Sequence, residues 1–148
     1  MPPVGSLVRR SLREARRSTV RYRVPAVGEI CIVNVLAFNE GLVEGKDRPG
    51  VVIAPFRAQA NHWKVMGLTS KRQFNNGAPR KPLLDYEKYG LSRQSCLWSP
   101  RLPILPQSDI KRRIAVITPK DAMQIIRYCN LTDYEAECLI KAARAAHL

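Results

Sequence analysis

The apolar residues between positions 25 and 117 fall in short runs separated by glycine, proline and polar segments, a pattern that predicts β-strands. The clearest run is Glu29–Leu36, which is rich in β-branched residues and follows Gly28. Val51–Ala54, between two prolines, and His62–Leu68 are predicted as the next strands. Weaker strand patterns follow at 95–98 and 114–117, and prolines at every third position from 100 to 106 require an extended segment.

Residues 71–90 break this pattern. They contain Asn75-Asn76-Gly77, two further prolines and Gly90, and they predict a long loop with room for a short edge hairpin. A loop of this length in a compact domain is usually functional or disordered.

The pattern becomes helical after residue 117. Thr118 is suited to cap a helix whose first residue is Pro119, with Asp121 at the capping-box position. Thr132 and Glu135 predict a second capping box, and apolar residues continue at helical spacing to residue 146. Five or six short strands followed by two helices predict a mainly β (α+β) domain over residues 25–148, built as a small, partly open β-barrel.

Charge changes this picture in two ways. The chain has 25 Lys and Arg against 12 Asp and Glu, a formal net charge of +13, which favours a polyanionic partner such as RNA, DNA or an acidic protein. Seven of the arginines and a single acid lie in residues 1–24, which are therefore expected to form a basic, disordered arm. The remaining residues still carry +7, so the domain is basic without the arm.

The cysteines and histidines offer no sign of a metal site. The four cysteines (31, 96, 129 and 138) form no Cys-x-x-Cys pair, and only His62 and His147 are available beside them. They are expected to be reduced, buried thiols, with no metal and no other cofactor. No segment has the apolar length of a membrane span, and the N-terminus lacks the apolar core of a secretory signal.

Several motifs, in order, resemble the MazF/PemK family of toxins over about two thirds of the chain. Gly28-Glu29-Ile30 opens the first strand as in that family, and Arg48-Pro49 runs directly into Val51-Val52-Ile53. A later strand ends in the hydroxyl pair Thr69-Ser70, and Thr118-Pro119-Lys120-Asp121 looks like the start of the family's final helix.

The resemblance implies an SH3-like β-barrel of the MazF/PemK/CcdB kind that acts in the cytoplasm as a homodimer. It also implies metal-independent, sequence-specific cleavage of single-stranded RNA, and a cognate antitoxin that blocks the site. By position, Arg48, Thr69, Ser70 and Glu44 are the candidate catalytic residues. The candidate RNA-binding residues are Lys71, Arg72, Arg80, Lys81, Arg101 and Trp98.

The candidate residues suit this chemistry. Cleavage by the neighbouring 2′-hydroxyl requires that hydroxyl to lose its proton, the leaving oxygen to gain one, and the phosphorane charge to be stabilised. Arg48 grips phosphate oxygens with a planar fork that stays charged. Thr69 or Ser70 supplies a hydroxyl, Glu44 is placed to orient Arg48 or accept a proton, and Trp98, Phe74 and Trp63 are able to stack on unpaired bases.

One departure from the family leaves the activity open. Many relatives carry an Asp-Gln step where this chain has Trp98-Ser99, followed by Pro100-Arg101. Two alternatives to the ribonuclease therefore stand: a toxin on the same barrel that acts by binding a protein such as gyrase, and a nucleic-acid-binding regulator without catalysis. A run of three bases, Lys111-Arg112-Arg113, is a further candidate for phosphate contacts under any nucleic-acid function.

Overall fold

A computed structural model describes residues 24–34 and 47–148, and it shows an antiparallel sheet followed by two helices. The strands are β1 (Glu29–Asn34), β2 (Asp47–Pro55), β3 (His62–Thr69), β4 (Cys96–Leu97), β5 (Ile104–Pro106) and β6 (Ile110–Val116). The helices are α1 (Pro119–Tyr128) and α2 (Asp133–Ala146), and 3-10 turns lie at Tyr86–Tyr89 and Gln107–Asp109. This order confirms the predicted α+β class with C-terminal helices.

The sheet is strongly curved. Its order is β4-β3-β2-β1-β6, and β5 pairs with β3 at the opposite end of that strand from β4. In a flat sheet β5 and β6 would lie four strand spacings apart, about 19 Å. Only the turn Gln107–Asp109 separates them, and the four peptide steps from Pro106 to Ile110 reach at most about 15 Å. The sheet therefore curls so that β5 and β6 approach each other, as the predicted partly open barrel requires.

Each face of the curled sheet carries its own apolar cluster, and the pleat separates them. The inner cluster, inside the curl, contains Cys31, Val33, Val52, Val65, Leu105 and Ile110, with Trp63 and Trp98 packed against it. The outer cluster joins Ile30, Val51, Ile53, Met66 and Leu68 of the sheet to Ile125 of α1 and Leu139 of α2. Gly50 lies within the inner face, where a Cβ atom would approach Val65 Cγ1 to 2.9 Å.

Two strands are longer than predicted. β2 begins at Asp47 and includes Pro49, which was expected to lie outside the strand. The strand accommodates the proline because the β2–β3 ladder stops at Gly50, so Pro49 has only β1 beside it. β6 begins at Ile110 because the exposed bases 111–113 belong to an edge strand, where apolar alternation is not needed.

The helix starts follow the predicted capping residues. Thr118 Oγ1 accepts a hydrogen bond from Asp121 N at 3.3 Å, although the Asp121 carboxylate turns into the core instead of completing the box. Thr132 and Glu135 form the full reciprocal box, with bonds of 3.1 and 3.0 Å. α1 ends at Tyr128 with Cys129 as its C-cap.

The predicted loop contains the expected hairpin. Arg80 N donates to Arg72 O, Phe74 N donates to Ala78 O, and Gly77 closes the turn with a φ of 87°. Asn76 Oδ1 accepts from Ala78 N, which fixes the same turn. This hairpin 72–80 follows β3 directly and leads back to the segment that runs beside β4.

Several sequence-based expectations lie outside the described residues: the basic arm up to residue 23, the end of the first predicted strand at Val35-Leu36, and Glu44. Neither described helix combines the length and the apolar character that a bilayer crossing needs. Over residues 24–34 and 47–148, no three His, Cys, Asp or Glu side chains are grouped so as to hold a metal ion.

Candidate nucleic-acid interface

The sheet brings Arg48 and Ser70 together. Arg48 pairs with Val33 across the β1–β2 ladder, and the β2–β3 ladder ends at the pair Gly50–Gly67. Beyond that pair, Arg48 of β2 and Ser70, which follows β3, line the same depression. Two candidate residues that are far apart in the sequence therefore lie at one end of the sheet.

A depression of about 220 Å³, here called the arginine depression, lies at this end of the sheet. Pro49, Leu68 and Leu91 supply apolar surface to it. Its polar lining consists of two arginines and three serines, namely Arg48, Arg93, Ser70, Ser92 and Ser95. Because the described residues of the lining supply cations and hydroxyl groups but no acid, the depression is suited to an anion.

The Arg48 side chain is half-buried, and within the described residues no hydrogen bond or ion pair engages its guanidinium. The acid next to it in the chain, Asp47, is bound by Lys111 Nζ at 2.7 Å. Arg48 thus retains its donors for an external group.

The two candidate hydroxyl groups differ in access. Thr69 is 2% exposed, and its Oγ1 accepts a hydrogen bond from Lys71 N at 3.1 Å, which shapes the turn after β3. Ser70 is exposed and lines the arginine depression beside Arg48, whereas Thr69 does not. Of the predicted hydroxyl pair, Ser70 is therefore the one that an external phosphate meets first.

Arg80 is held between two aromatic rings. Its Cζ atom lies 4.4 Å from the ring centroid of Phe74 and 5.1 Å from that of Trp98. Its Nε donates to Trp98 O at 3.1 Å, and its Nη1 donates to Gln73 O. Arg80 thus fastens the hairpin 72–80 to β4, and Trp98 is covered by Arg80 and packed on the inner cluster. Both residues, predicted as RNA contacts, have a structural task.

The other predicted RNA-binding residues are exposed. Lys71 and Arg72 follow Ser70 directly, Lys81 follows the hairpin, and Arg101 lies in the β4–β5 loop. Burial raises the pKa of the Cys96 thiol, and the charges of Arg72 and Arg80 oppose this rise. Since Cys96 pairs with Thr69 across the β3–β4 ladder, this positive field covers the end of β3.

The bases of β6 are partly committed to acids. Lys111 binds Asp47 as described above, and Arg113 Nη1 lies 3.4 Å from Glu29 Oε2. Only Arg112 of the predicted run of three has no ion pair recorded within residues 24–34 and 47–148. None of the three is among the residues that line the arginine depression.

Comparisons with known proteins bear on the fold alone. No family model matches the chain, and no curated protein matches it. Among solved structures, the Mycobacterium tuberculosis toxin MazF-mt6 is similar at 17% sequence identity and a TM-score of 0.41, over 80% of this chain and 95% of that one.

Sequence reasoning missed the segment that supplies half of the arginine depression. Leu91 to Ser95 connect the 3-10 turn Tyr86–Tyr89 to β4, and Arg93 stands in the middle of that connection. The only local signal was its polarity, Ser92-Arg93-Gln94-Ser95 after Gly90, which is typical of any loop. The position of Arg93 near Arg48 depends on pairing between strands that are far apart in the sequence.

A buried polar network behind that segment was missed as well. Asp121, with no exposed surface, accepts hydrogen bonds from Tyr89 Oη at 2.7 Å, Leu84 N at 2.7 Å and Asp85 N at 3.0 Å. Burial raises the pKa of the Tyr89 hydroxyl, which stays protonated and donates to the carboxylate. The network ties α1 to the residues that lead into the arginine depression.

A second and larger groove, of about 760 Å³, lies between the β2–β3 connection and α2. It is lined mainly by apolar surface, including Ile53, Pro55, Phe56 and Trp63. Trp63, a predicted base-stacking residue, lines it, but none of the described residues predicted as catalytic or as RNA-binding does. The larger of these two grooves is therefore not the one with the charge pattern of a nucleic-acid site.

Proposed function

We propose that this protein is a metal-independent endoribonuclease toxin that cuts single-stranded RNA at the arginine depression. The observation that carries the proposal is the Arg48 guanidinium, which has no recorded partner among residues 24–34 and 47–148 and shares the depression with the exposed Ser70 hydroxyl. The motifs around these residues resemble those of the MazF/PemK family, which supports the same conclusion.

Each residue has a chemical role in this proposal. Arg48 binds the phosphate that is cut and stabilises the additional negative charge of the phosphorane, because its donors are preorganised and its charge does not titrate. Ser70 donates its hydroxyl hydrogen to a phosphate oxygen or positions the 2′-hydroxyl. Thr69 holds the turn that presents Ser70 and Lys71. Lys71, Arg72, Lys81 and Arg101 bind flanking phosphates, and Glu44 is the proposed carboxylate.

The proposed partners follow from the charge and from the family resemblance. An acidic or extended segment of a cognate antitoxin is expected to cover the basic surface, since residues 25–148 carry +7. A homodimer acting in the cytoplasm belongs to the same proposal. Because a blocking segment would occupy the phosphate-binding positions, antitoxin and RNA are expected to compete.

A second function has a specific observation in its favour. The lining of the arginine depression contains no carboxylate and no histidine, so among its described residues it has no evident general base. A nucleic-acid-binding protein that does not cut RNA needs the same cations and no base. A toxin that acts only by binding a protein target needs neither the RNA affinity nor the cleavage.

The test is incubation of the purified protein with a long single-stranded RNA in the presence of EDTA. Wild-type protein is expected to cut at discrete sites, and Arg48→Ala to lose 100-fold or more of the rate, roughly the effect of removing one donor to a developing oxyanion. Arg48→Lys keeps the charge without the fork and is expected to recover only part of it. Arg144→Ala, at an exposed position of α2, is the matched control.

The outcomes separate the candidate functions. Cleavage by wild type and by the Arg144→Ala control, but not by Arg48→Ala, supports the ribonuclease. RNA binding without cleavage identifies the non-catalytic binding protein. If wild type neither binds nor cuts RNA, both nucleic-acid functions are wrong and a protein target becomes the alternative.

A further inference from the structure

Arg93 is a second arginine in the lining of the arginine depression, besides Arg48. It is exposed, it lies in the connection 91–95, and it lines the arginine depression together with Arg48 and Ser70. Within the described residues no ion pair or hydrogen bond is recorded for its guanidinium. The depression thus has cations from two different chain segments, β2 and the connection 91–95.

The segment that bears Arg93 is anchored at both ends. On one side, Gly90 ends the 3-10 turn in a left-handed conformation with its N–H bonded to Glu87 O, and Leu91 N donates to Tyr86 O. On the other side, Leu83 N donates to Ser95 O, and Ser95 Oγ donates to Arg93 O at 3.4 Å. Arg93 is therefore presented from a short, supported connection and not from a free tail.

Two cations beside an apolar surface have a consequence for binding. Pro49, Leu68 and Leu91 displace water from one side of the depression, which strengthens the field of the guanidinium groups. Among residues 24–34 and 47–148, no acid of the lining offsets the two charges. An anion that contacts both arginines removes their mutual repulsion, and a phosphate group offers enough oxygens for two guanidinium forks.

We infer that Arg93 is a second phosphate-binding residue of the arginine depression, and that one phosphodiester of single-stranded RNA is held between Arg48 and Arg93. The inference rests on the proposed function for the identity of the polymer, but its phosphate chemistry can be tested alone. Ser92 and Ser70 line the same depression and supply neutral donors to the phosphate oxygens. A phosphate held from two sides is fixed in orientation as well as in position.

The first experiment tests the site without RNA. The Nε–H signals of the arginines are followed by NMR while dimethyl phosphate, the simplest phosphodiester, is added to the wild-type protein in mildly acidic solution. The Arg93 and Arg48 signals are expected to shift together with one saturation curve. A shift of Arg48 without Arg93, or no saturable shift of either, overturns the inference whether or not the protein cuts RNA.

The second experiment measures RNA affinity as a function of salt. Arg93→Ala is expected to bind single-stranded RNA about tenfold more weakly, and to lower the slope of log affinity against log salt by about 0.7, the value for one phosphate contact on a single strand. Arg93→Lys should restore the slope but not the full affinity, because it lacks the fork. Arg144→Ala removes the same charge from α2 and is expected to leave both quantities nearly unchanged.

These results separate the inference from the function. If the protein binds RNA with an Arg93-dependent slope but does not cut it, the ribonuclease proposal fails and the role of Arg93 stands. If it cuts RNA and Arg93→Ala behaves like Arg144→Ala, the ribonuclease stands and the role of Arg93 is wrong.

Discussion

Basic side chains are used differently in two regions of this protein. On the edge strand β6 and on β3, bases are matched with acids: Lys111 with Asp47 at 2.7 Å, Arg113 with Glu29 at 3.4 Å, and Lys64 with Glu135 at 2.7 Å. At the arginine depression, Arg48 and Arg93 lie in a lining that has no acid among the described residues. Part of the positive excess of the domain is therefore located where it is available to a polyanion, whereas the paired bases serve the fold.

The largest effect is expected from the buried Asp121 network that supports the arginine depression. Asp121→Asn leaves one carbonyl oxygen where a carboxylate accepted three hydrogen bonds, and it turns an NH₂ group toward other donors. Because the site is fully buried, we expect a loss of about 2–4 kcal/mol in the free energy of unfolding. Urea denaturation measures this loss.

The same substitution should also affect the site. Loosening of residues 84 and 85 releases the chain that leads to Arg93, so RNA affinity is expected to fall even under conditions in which the variant remains folded. Glu137→Gln, on the exposed side of α2, is the control and is expected to change stability by less than about 0.5 kcal/mol. Equal stability of Asp121→Asn and wild type would show that the network does not hold the segment.

Substitution of each hydroxyl residue in turn separates the roles of Ser70 and Thr69. Ser70→Ala removes the exposed hydroxyl beside Arg48, and we expect RNA cleavage to slow by about tenfold, a typical value for one neutral hydrogen bond to a charged group. Thr69→Ser keeps the buried hydroxyl that accepts from Lys71 N, and is expected to leave the rate within about twofold. Rates are measured on one RNA under single-turnover conditions.

Activity that depends on Thr69 and not on Ser70 would assign the catalytic hydroxyl to Thr69. If Ser70→Ala cuts RNA at the wild-type rate while Thr69→Val is inactive and folded, the buried hydroxyl acts on the substrate, and the end of β3 has to open when RNA binds. Circular dichroism and thermal unfolding of both variants provide the necessary control for folding.

Local patterns were sufficient to predict much of the fold. Thr118 and Thr132 marked both helix starts, and β-branched runs marked β1 to β3, because capping and pleat alternation depend on neighbours in the sequence. The start of β6 was missed because its exposed bases gave no alternation. The assignment of Arg48 and Thr69 to one site came from the family resemblance and stays a prediction, whereas Arg93 and Asp121 had no local signal, since the residues around them come from distant parts of the chain.

The smallest effect is expected on the side where charges are paired. Burial raises the pKa of Glu135, but hydrogen bonds from Lys64 and Thr132 and the charge of Lys64 outweigh it, so the pKa lies below its usual value. A depressed carboxyl pKa gives stability that is present above the unfolded-state pKa of about 4.5 and is lost as the pH falls through the folded-state value. Glu135→Gln should therefore cost about 0.5–1 kcal/mol at neutral pH and flatten the acid limb of the stability curve.

The same substitution tests whether the paired base Lys64 takes part in RNA binding. Since the Lys64–Glu135 pair lies on the larger groove and not on the arginine depression, RNA affinity at neutral pH is expected to stay within about twofold of wild type. Denaturation of wild type and Glu135→Gln across the acid range, with RNA binding measured on the same samples, checks both statements. If freeing Lys64 from its acid raised the salt slope of RNA binding, the paired bases would belong to the RNA surface as well, and the division between the two regions would be wrong.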